Sequence, residues 1–581
     1  MQDIKHEIIK ILSEVTKKTT GQDVKPDLER SKDDNHGDYS SNIAMVIFAR
    51  SKAKTPMELA EEIVEKFKIQ NSKFKSLEKV EAVKPGFINL WLSKEYLADN
   101  LQEILEKKDK LGKTNRLEDK KIMIEFTDPN PFKEFHIGHL YSNIVGESLS
   151  RLLESQGVNA WRVCYQGDVG LHVAKALYGI FRLCHAELFS VSSLLGSKMM
   201  KQIEDEKLSS KIEFLGKAYA LGARAYEEDE KAKKEIIELN KKIYDHDREI
   251  EDLYKKGRQW SLEYFDTIYK RLGTKFKKFY FESEEGDIGS KIVRDHTGDV
   301  FEKSDGAVIF NGEKHGLHNR VFLNSQGLPT YEAKELGLAP TKYMDFKYDQ
   351  SIIVTGNEII EYFKVLLNVL KHIYPDLAAR TKHVAHGMVR LPKGKMSSRT
   401  GQVITGEWLL DEAKDRIQKA YPEMDEDTAE KVAVGAVKYA FLKSGIGRDI
   451  EFNFDESISL EGNSGPYLQY TFARTQSVLA KAGITNHELR IMNYEFEKEE
   501  ELLLRAIHLF PEVVEEASDK FAPNVLCNYL FDLAQKYNLF YQKHKILESE
   551  EEGFRLGLSQ SVGQVLKNGL NLLGISAPDR M

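Results

Sequence analysis

KIMIEFTDPNPFKEFHIGHL, residues 121–140, holds a strand, a turn and a helix start in immediate succession. Residues 121–126 alternate apolar side chains as a short buried strand does, and two X-Pro steps, Asp128-Pro129 and Asn130-Pro131, then force an extended turn. From Gly138 onward Leu140, Ile144, Val145, Leu149, Leu152 and Leu153 recur at helical spacing, and Gly157 stops the helix. A second strand follows over 160–165 and runs into Gly167-Asp168-Val169-Gly170. The unit is strand–helix–strand, with its loop where an open parallel sheet binds nucleotides. His136 and His139 fall at the helix N-terminus, where backbone N–H groups and the helix dipole favour anions and imidazole N–H donors add to them. Two histidines alone fit capping and core filling equally well. A zinc site is not expected, because no Cys or third His stands nearby at ligand spacing.

At 581 residues, 41% hydrophobic and 30% charged, the chain has the composition of a soluble globular protein. Its length suits about three or four domains. Cys164, Cys184 and Cys527 are too few and too scattered for a disulfide framework or a zinc ribbon, so a cytoplasmic setting is expected. The amino terminus, MQDIKHEIIKILSEV, is amphipathic and charged without a signal-peptide core, and no apolar run is long enough to span a membrane. A net charge of −8 gives no support to nucleic-acid binding, so any such surface must be a local basic patch.

Residues 1–112 read as a separate α+β module. Thr55-Pro56-Met57-Glu58 combines an N-cap, a first-turn proline and a capping-box glutamate, and opens a helix over 56–67. Another helix covers roughly 41–53, and 80–83 and 87–92 form a hairpin around Pro85-Gly86. Residues 172–285 show little but helical pattern, with both charge signs at i, i+4 spacing as on solvated faces. The second half of the sheet is expected over 288–390. There 304–313 reads as a hairpin, and 329–336 as a short helix bounded by Gly337 and Pro340, with Tyr331 and Glu335 on one face. Residues 351–354 read as a buried parallel strand turning at Thr355-Gly356-Asn357-Glu358 into a helix over 359–373. A strand-like run over 383–389 leads to LPKGKMSSRTG, where Lys395, Ser397, Ser398 and Arg399 offer cations, hydroxyls and free backbone donors. Such groups can hold a triphosphate as charge builds on a leaving pyrophosphate, although the loop alone also reads as a basic surface segment. From about 407 the chain is helical, and Phe531, Phe540 and Tyr541 read as core.

PNPFKEFHIGHL resembles the HIGH signature of class I aminoacyl-tRNA synthetases, and Asn130, Lys133 and His136 specifically resemble the arginyl enzymes. KMSSR is similar to the family's KMSKS loop, with Ser398 where a second lysine is usual; Lys133 matches a lysine thought to compensate. HGDYSSNIA and KPGFINLWLS resemble the amino-terminal domain that contacts the tRNA elbow in that family. GNSGPYLQYTFARTQSVL, FDLAQKYNLFYQKHKIL and LGISAPDRM resemble its anticodon-binding bundle. The resemblance implies an α/β fold with a Rossmann-like parallel-sheet catalytic domain over 113–400, interrupted by the helical insertion at 172–285. It also implies stem helices over 401–460 and an all-α bundle over 461–581.

The implied activity joins L-arginine to ATP as arginyl-adenylate and passes the arginyl group to the 2′-hydroxyl of tRNA(Arg). Positioning and charge stabilisation suffice, and no side-chain nucleophile is needed. His136 and His139 would donate to the phosphates, and Lys133, Lys395 and Arg399 would neutralise them with Mg²⁺. Gly138, Gly356, Met388, Val389, Ser397 and Ser398 would hold ATP. Selecting a guanidinium calls for carboxylates, so Glu125 and Glu335 are the expected fork, joined by Asn130, Tyr331 and Glu358. Tyr467, Tyr470, Arg474 and Met581 are the residues expected to face tRNA. A monomer is expected. Several positions depart from the family pattern: Glu335 replaces an aspartate, Tyr141 an arginine, and His172 ends a string that usually reads GDWGTQ. A glutamine usual near Asn357-Glu358 is also missing. A different class I specificity and a non-catalytic, tRNA-binding paralogue are the competing readings.

Overall fold

Five parallel strands form the central sheet, in the order Thr381–His386, Gln350–Gly356, Lys121–Phe126, Asn159–Gln166 and Lys278–Phe281. The chain starts in the middle, builds outward to one edge, then returns to build the other half. The order therefore reverses between Lys121–Phe126 and Gln350–Gly356, and the carboxyl ends of these two strands flank a crevice of the kind that takes ligands. Met123 and Ile124 are both buried although they face opposite sides, as expected for a sheet covered on both faces. The computed structural model describes residues 4–31, 34–51, 54–70, 75–184, 201–391, 404–483 and 495–581.

Two readings need correction. Lys278–Phe281 lies in a stretch of helical pattern, yet it is the edge strand that extends Asn159–Gln166. Its four residues are too short for periodicity to separate from the surrounding helices. The helix expected to stop before Gly337 instead runs over Tyr331–Asp345, through both Gly337 and Pro340. Gly337 does not end this helix; it lets it cross Glu282–Asp295 closely, since a Cβ there would sit 2.7 Å from the Gly289 amide nitrogen. Elsewhere the elements follow expectation. The capping box is present, with the Thr55 amide donating to Glu58 Oε2 (2.8 Å), and the helix covers Pro56–Gln70. Leu77–Val83 and Phe87–Leu92 form the antiparallel hairpin within a four-stranded sheet.

The helix Ile137–Ser155, which starts at the two histidines, is buried on every side from His139 to Ser150. Its far half is gripped by distant chain. Ser148 Oγ donates to the Leu572 carbonyl (3.2 Å) and Arg151 Nη1 to that of Asn571 (3.1 Å), at the end of the helix Glu552–Leu572. Lys438, on the helix Glu426–Leu442, donates to the carbonyls of Leu272 (2.6 Å) and Gly574 (2.5 Å). A second joint ties the amino-terminal module to carboxy-terminal helices, through Arg505 to Asp38, Tyr39 to Glu512, and Lys5 to Glu512 (3.2 Å). One hydrophobic core runs unbroken from Ile4 through Ile144 to Ile575.

Burial, reinforced by the charge of Arg151, pushes the Lys438 ammonium down to about 7. An unfolded lysine holds its proton to about pH 10. Between these limits the unfolded chain binds the extra proton, so stability should rise with pH by up to ~1.4 kcal/mol per unit. Lys438→Met should abolish that rise, as read from denaturant unfolding of both proteins at pH 7, 8 and 9.

Candidate active site

Thr127 (φ 83°), Asp128 (φ 45°) and Phe132 (φ 67°) carry the chain from the central strand to the histidines in left-handed backbone. A β-branched threonine adopts that conformation only when its surroundings impose it. Here the Thr127 amide donates to Ser142 Oγ (2.9 Å), and Asn143 Nδ2 donates to Thr127 Oγ1 (2.9 Å). Ser142 Oγ donates in turn to the carbonyl of Val354 (2.8 Å), the Tyr165 amide donates to Asp128 Oδ1 (2.7 Å), and the Phe132 amide to Ser261 Oγ (2.9 Å). The helix, both neighbouring strands and the insertion therefore hold this corner.

The corner delivers His136 as the N-cap of the helix. Its Nδ1 accepts from the amides of Gly138 (3.1 Å) and His139 (3.4 Å), while His139 Nδ1 accepts from the His136 amide (3.3 Å). The Ile137 amide donates to the Ile404 carbonyl (3.0 Å). The backbone donors expected to meet an anion are thus already used. Two accepting Nδ1 atoms leave the protons on Nε2, so each ring keeps one N–H donor. The rings stack at 3.5 Å. Burial, with the charge of Lys133, pushes His136 down to about 4; burial and His136 hold His139 well below the usual imidazole range. Both are neutral donors at physiological pH. Burial also lowers Lys133, whose Nζ lies over the Tyr219 ring at 5.1 Å.

Gly138 and Gly356 admit side chains closely: a Cβ on Gly138 would press on the His136 ring, and the Glu358 carboxylate folds back over Gly356. The charge of Glu358 reaches His136 and His386. Met388 departs from its expected role. Its amide donates to Asp449 Oδ1 (2.8 Å) and so is not free for an adenine edge, while its carbonyl already accepts from Ile450 (2.7 Å). Phe452 continues that ladder to Arg390, and the alternation of parallel pairing turns the main-chain groups of Val389 the other way. Lys395, Ser397, Ser398 and Arg399 lie outside the described residues. The chain re-enters at Ile404 directly beside the histidines, where Gly406 donates to the Phe135 carbonyl (2.7 Å).

On the other side of the corner carboxylates gather. Glu125 is buried and accepts from Lys342 Nζ (2.6 Å). Burial and the charge of Glu125 push Glu335 up to about 8 and Asp128 well above its usual range. Beside them Lys334 pairs with Glu282, and Tyr331, 52% exposed, lies over Lys334 at 4.7 Å. Asn130 packs its Oδ1 against Gly167. His172 Nε2 lies 2.7 Å from the Gly167 carbonyl, and its buried Nδ1 has no partner among the described residues. Sequence reasoning missed Lys342, Lys334, Glu282 and Asp128. A helix continued past Pro340 would have placed Lys342 two turns from Glu335 on the same face.

In the carboxy-terminal helices the Arg474 guanidinium lies between Tyr470 (4.8 Å) and Tyr541 (5.0 Å) and donates to the Tyr470 hydroxyl (3.2 Å). Asn538 Nδ2 donates to the Tyr467 hydroxyl (2.9 Å), while Met581 is partly buried against the core. Phe540 is core as expected, but Tyr541 is 39% exposed.

Residues 2–92 match the family described as "Arginyl tRNA synthetase N terminal domain", 100–454 "tRNA synthetases class I (R), catalytic domain", and 468–581 "DALR anticodon binding domain". Similar curated proteins include an arginine–tRNA ligase of Flavobacterium psychrophilum, 32% identical over 538 residues and 88% of either chain. Another, from Treponema denticola, is 33% identical over 556 residues and 90% of either chain. Among solved structures, the Thermus thermophilus arginyl-tRNA synthetase superposes with a TM-score of 0.78 at 24% identity, covering 99% of this chain and 100% of that one. That of Plasmodium falciparum gives 0.72 at 20% identity, covering 100% of both. By the span of these matches and the agreement in fold, the chain belongs to the arginyl-tRNA synthetase family of class I aminoacyl-tRNA synthetases.

Proposed function

We propose that this chain is an arginine–tRNA ligase: it activates L-arginine with ATP to arginyl-adenylate and transfers the arginyl group to the 3′ end of tRNA(Arg). The observation that carries the reading is the pairing of two opposite electrostatic features at one switch point. Neutral imidazole donors stand on one side of the corner, and a carboxylate-rich pocket short of cations stands on the other. The first suits phosphates and the second a guanidinium.

The substrate carboxylate attacks the α-phosphorus of ATP, and pyrophosphate leaves. His136 and His139 direct their Nε2 protons at oxygens that gain charge in the transition state, in a buried setting where such bonds are strongest. Lys133 adds a cation beside them. Lys395 and Arg399 shortly precede Ile404 in sequence, and Ile404 is bonded to the start of the histidine helix, which supports their reaching the same phosphates. Ser397 and Ser398 supply hydroxyls there. Mg²⁺ arriving with the nucleotide would neutralise charge on its phosphates. Val389 offers main-chain groups to the adenine, and Gly138 keeps the adjoining surface open. Glu358, above Gly356 and toward the histidines, suits ribose hydroxyls better than the guanidinium. Asn130 meets the amino end of arginine, Tyr331 covers its aliphatic stem, and Glu335 faces its guanidinium. Tyr470, Arg474 and Tyr541 form the tRNA platform, with Tyr467 and Met581 at its margin. The chain is read as a monomer working in the cytoplasm on translation. ATP–pyrophosphate exchange tests the reading: it should depend on arginine, with tRNA present, and exchange driven by another amino acid would assign a different specificity.

His139→Ala should slow adenylate formation by roughly 10²–10³ with little change in ATP affinity, since the donor acts mainly in the transition state. Because both imidazoles are already neutral, the rate at saturating arginine should stay level from pH 8 down to about 5. A fall centred near 6.5, seen by rapid quench, would contradict neutral donors. Tyr541→Ala should weaken tRNA binding by ~1–3 kcal/mol, the range for one stacked base, and leave turnover at saturating tRNA unchanged. Filter binding and charging kinetics separate the two.

A further inference from the structure

The arginine pocket of this chain contains a cation of its own. We propose that Lys342 is a built-in counter-ion that claims Glu125, leaving Glu335 and Asp128 to grip the guanidinium, with one shared proton holding that place until arginine arrives. This rests on the reading of the site as an arginine-activating centre.

Three carboxylates, Glu125, Asp128 and Glu335, act on one another through the protein interior, against the single ammonium of Lys342. Glu335 and Lys342 stand two turns apart on one face of Tyr331–Asp345, facing the strand that carries Glu125. Lys342 and Glu125 are 3% and 2% exposed and 2.6 Å apart, a contact that fixes the ammonium on that carboxylate. Asp128 accepts from the Tyr165 amide through Oδ1, and neither its Oδ2 nor the Glu335 carboxylate has a partner among the described residues. The other groups around them do not balance the charge. Glu282 is neutralised by Lys334, and Glu285 accepts only from Thr341 (2.8 Å). The hydroxyls of Tyr165, Tyr348 and Tyr362 are pushed up by burial and the same acids, so they stay protonated.

A surplus of buried negative charge is resolved by protonation when no cation is present. Burial and Glu125 push Glu335 up to about 8 despite Lys342, and Asp128 rises with it. Glu335 therefore retains its proton at neutral pH, and Asp128 is raised as well. An arriving guanidinium supplies the missing charge, and the proton leaves to solvent. No bond other than this O–H is broken, and charge balances. Arginine affinity should therefore rise with pH, by up to about tenfold per unit between pH 6 and 8, and level off above. The sign follows from the raised carboxyl: below about 8 the free site binds a proton that the arginine complex does not.

Isothermal titration of arginine into the whole protein near pH 7, in two buffers of unlike ionisation enthalpy, reads the proton directly. The expected result is release of about one proton per arginine. Binding without proton release would overturn the inference and leave the proposed activity standing; absence of arginine binding and of arginine-dependent exchange would remove that activity itself. Glu335→Gln should abolish the release and weaken arginine by roughly two orders of magnitude. Asp128→Asn should lower the release well below one while arginine still binds. Replacing the built-in pair, Glu125→Gln with Lys342→Met, avoids stranding a buried charge. That double variant should keep the proton release and bind arginine within about tenfold of the parent, with binding of an ATP analogue reporting that it folds. A loss beyond about a hundredfold in the folded variant would return the guanidinium to Glu125 and overturn the assignment.

Discussion

Between Phe126 and His136 the backbone must leave the sheet, pass two prolines and set two imidazoles at a helix start, and it does so with Thr127, Asp128 and Phe132 at positive φ. Strain of this kind costs of order 1–3 kcal/mol per residue and persists only where neighbours over-determine it. The neighbours are Ser142 and Asn143 on the departing helix, Tyr165 and Val354 on the flanking strands, and Ser261 on the insertion. The corner is consequently held from both halves of the sheet, and the site depends on all of them at once. It also divides the site: imidazoles on one side, carboxylates on the other.

Much of this was legible in the sequence because local patterns and tertiary demands agree. Strand 121–126 is found to the residue, the helix after it starts one residue before Gly138, and the capping box at Thr55 sits as its residues require. The arginyl-tRNA synthetase family, read from motif strings, stands. The failures share a cause. Gly337 and Pro340 are stop signals by propensity, but packing against Gly289 overrides them, and missing that helix end hid Lys342. Lys278–Phe281 is too short to announce itself. Met388 carries no mark in sequence that its main chain is claimed by Asp449 and Ile450 from far along the chain. At the histidines the plain reading, capping, is what the backbone bonds show. Capping by Nδ1 fixes which nitrogen is left to act.

The two halves of the site use burial in opposite ways. On the imidazole side it keeps the rings uncharged, so they can donate hydrogen bonds without adding fixed positive charge. On the carboxylate side it makes unpaired carboxylates costly, a setting that suits a planar cation. Lys133 and Lys342 stand one on each side, each adjusting how much charge its neighbours carry.

The histidine helix is also completed from the far end of the chain. Ser148, Arg151 and Lys438 find their acceptors at Leu572, Asn571 and Gly574. During synthesis, which proceeds at about 5–20 residues per second with early domains folding first, residues 137–155 leave the ribosome long before those carbonyls do. Until then Ser148 and Arg151 of the nascent helix lack the carbonyls of Leu572 and Asn571 to which they donate in the finished fold. The far half of this helix therefore reaches its finished contacts only once residues 571–574 have emerged.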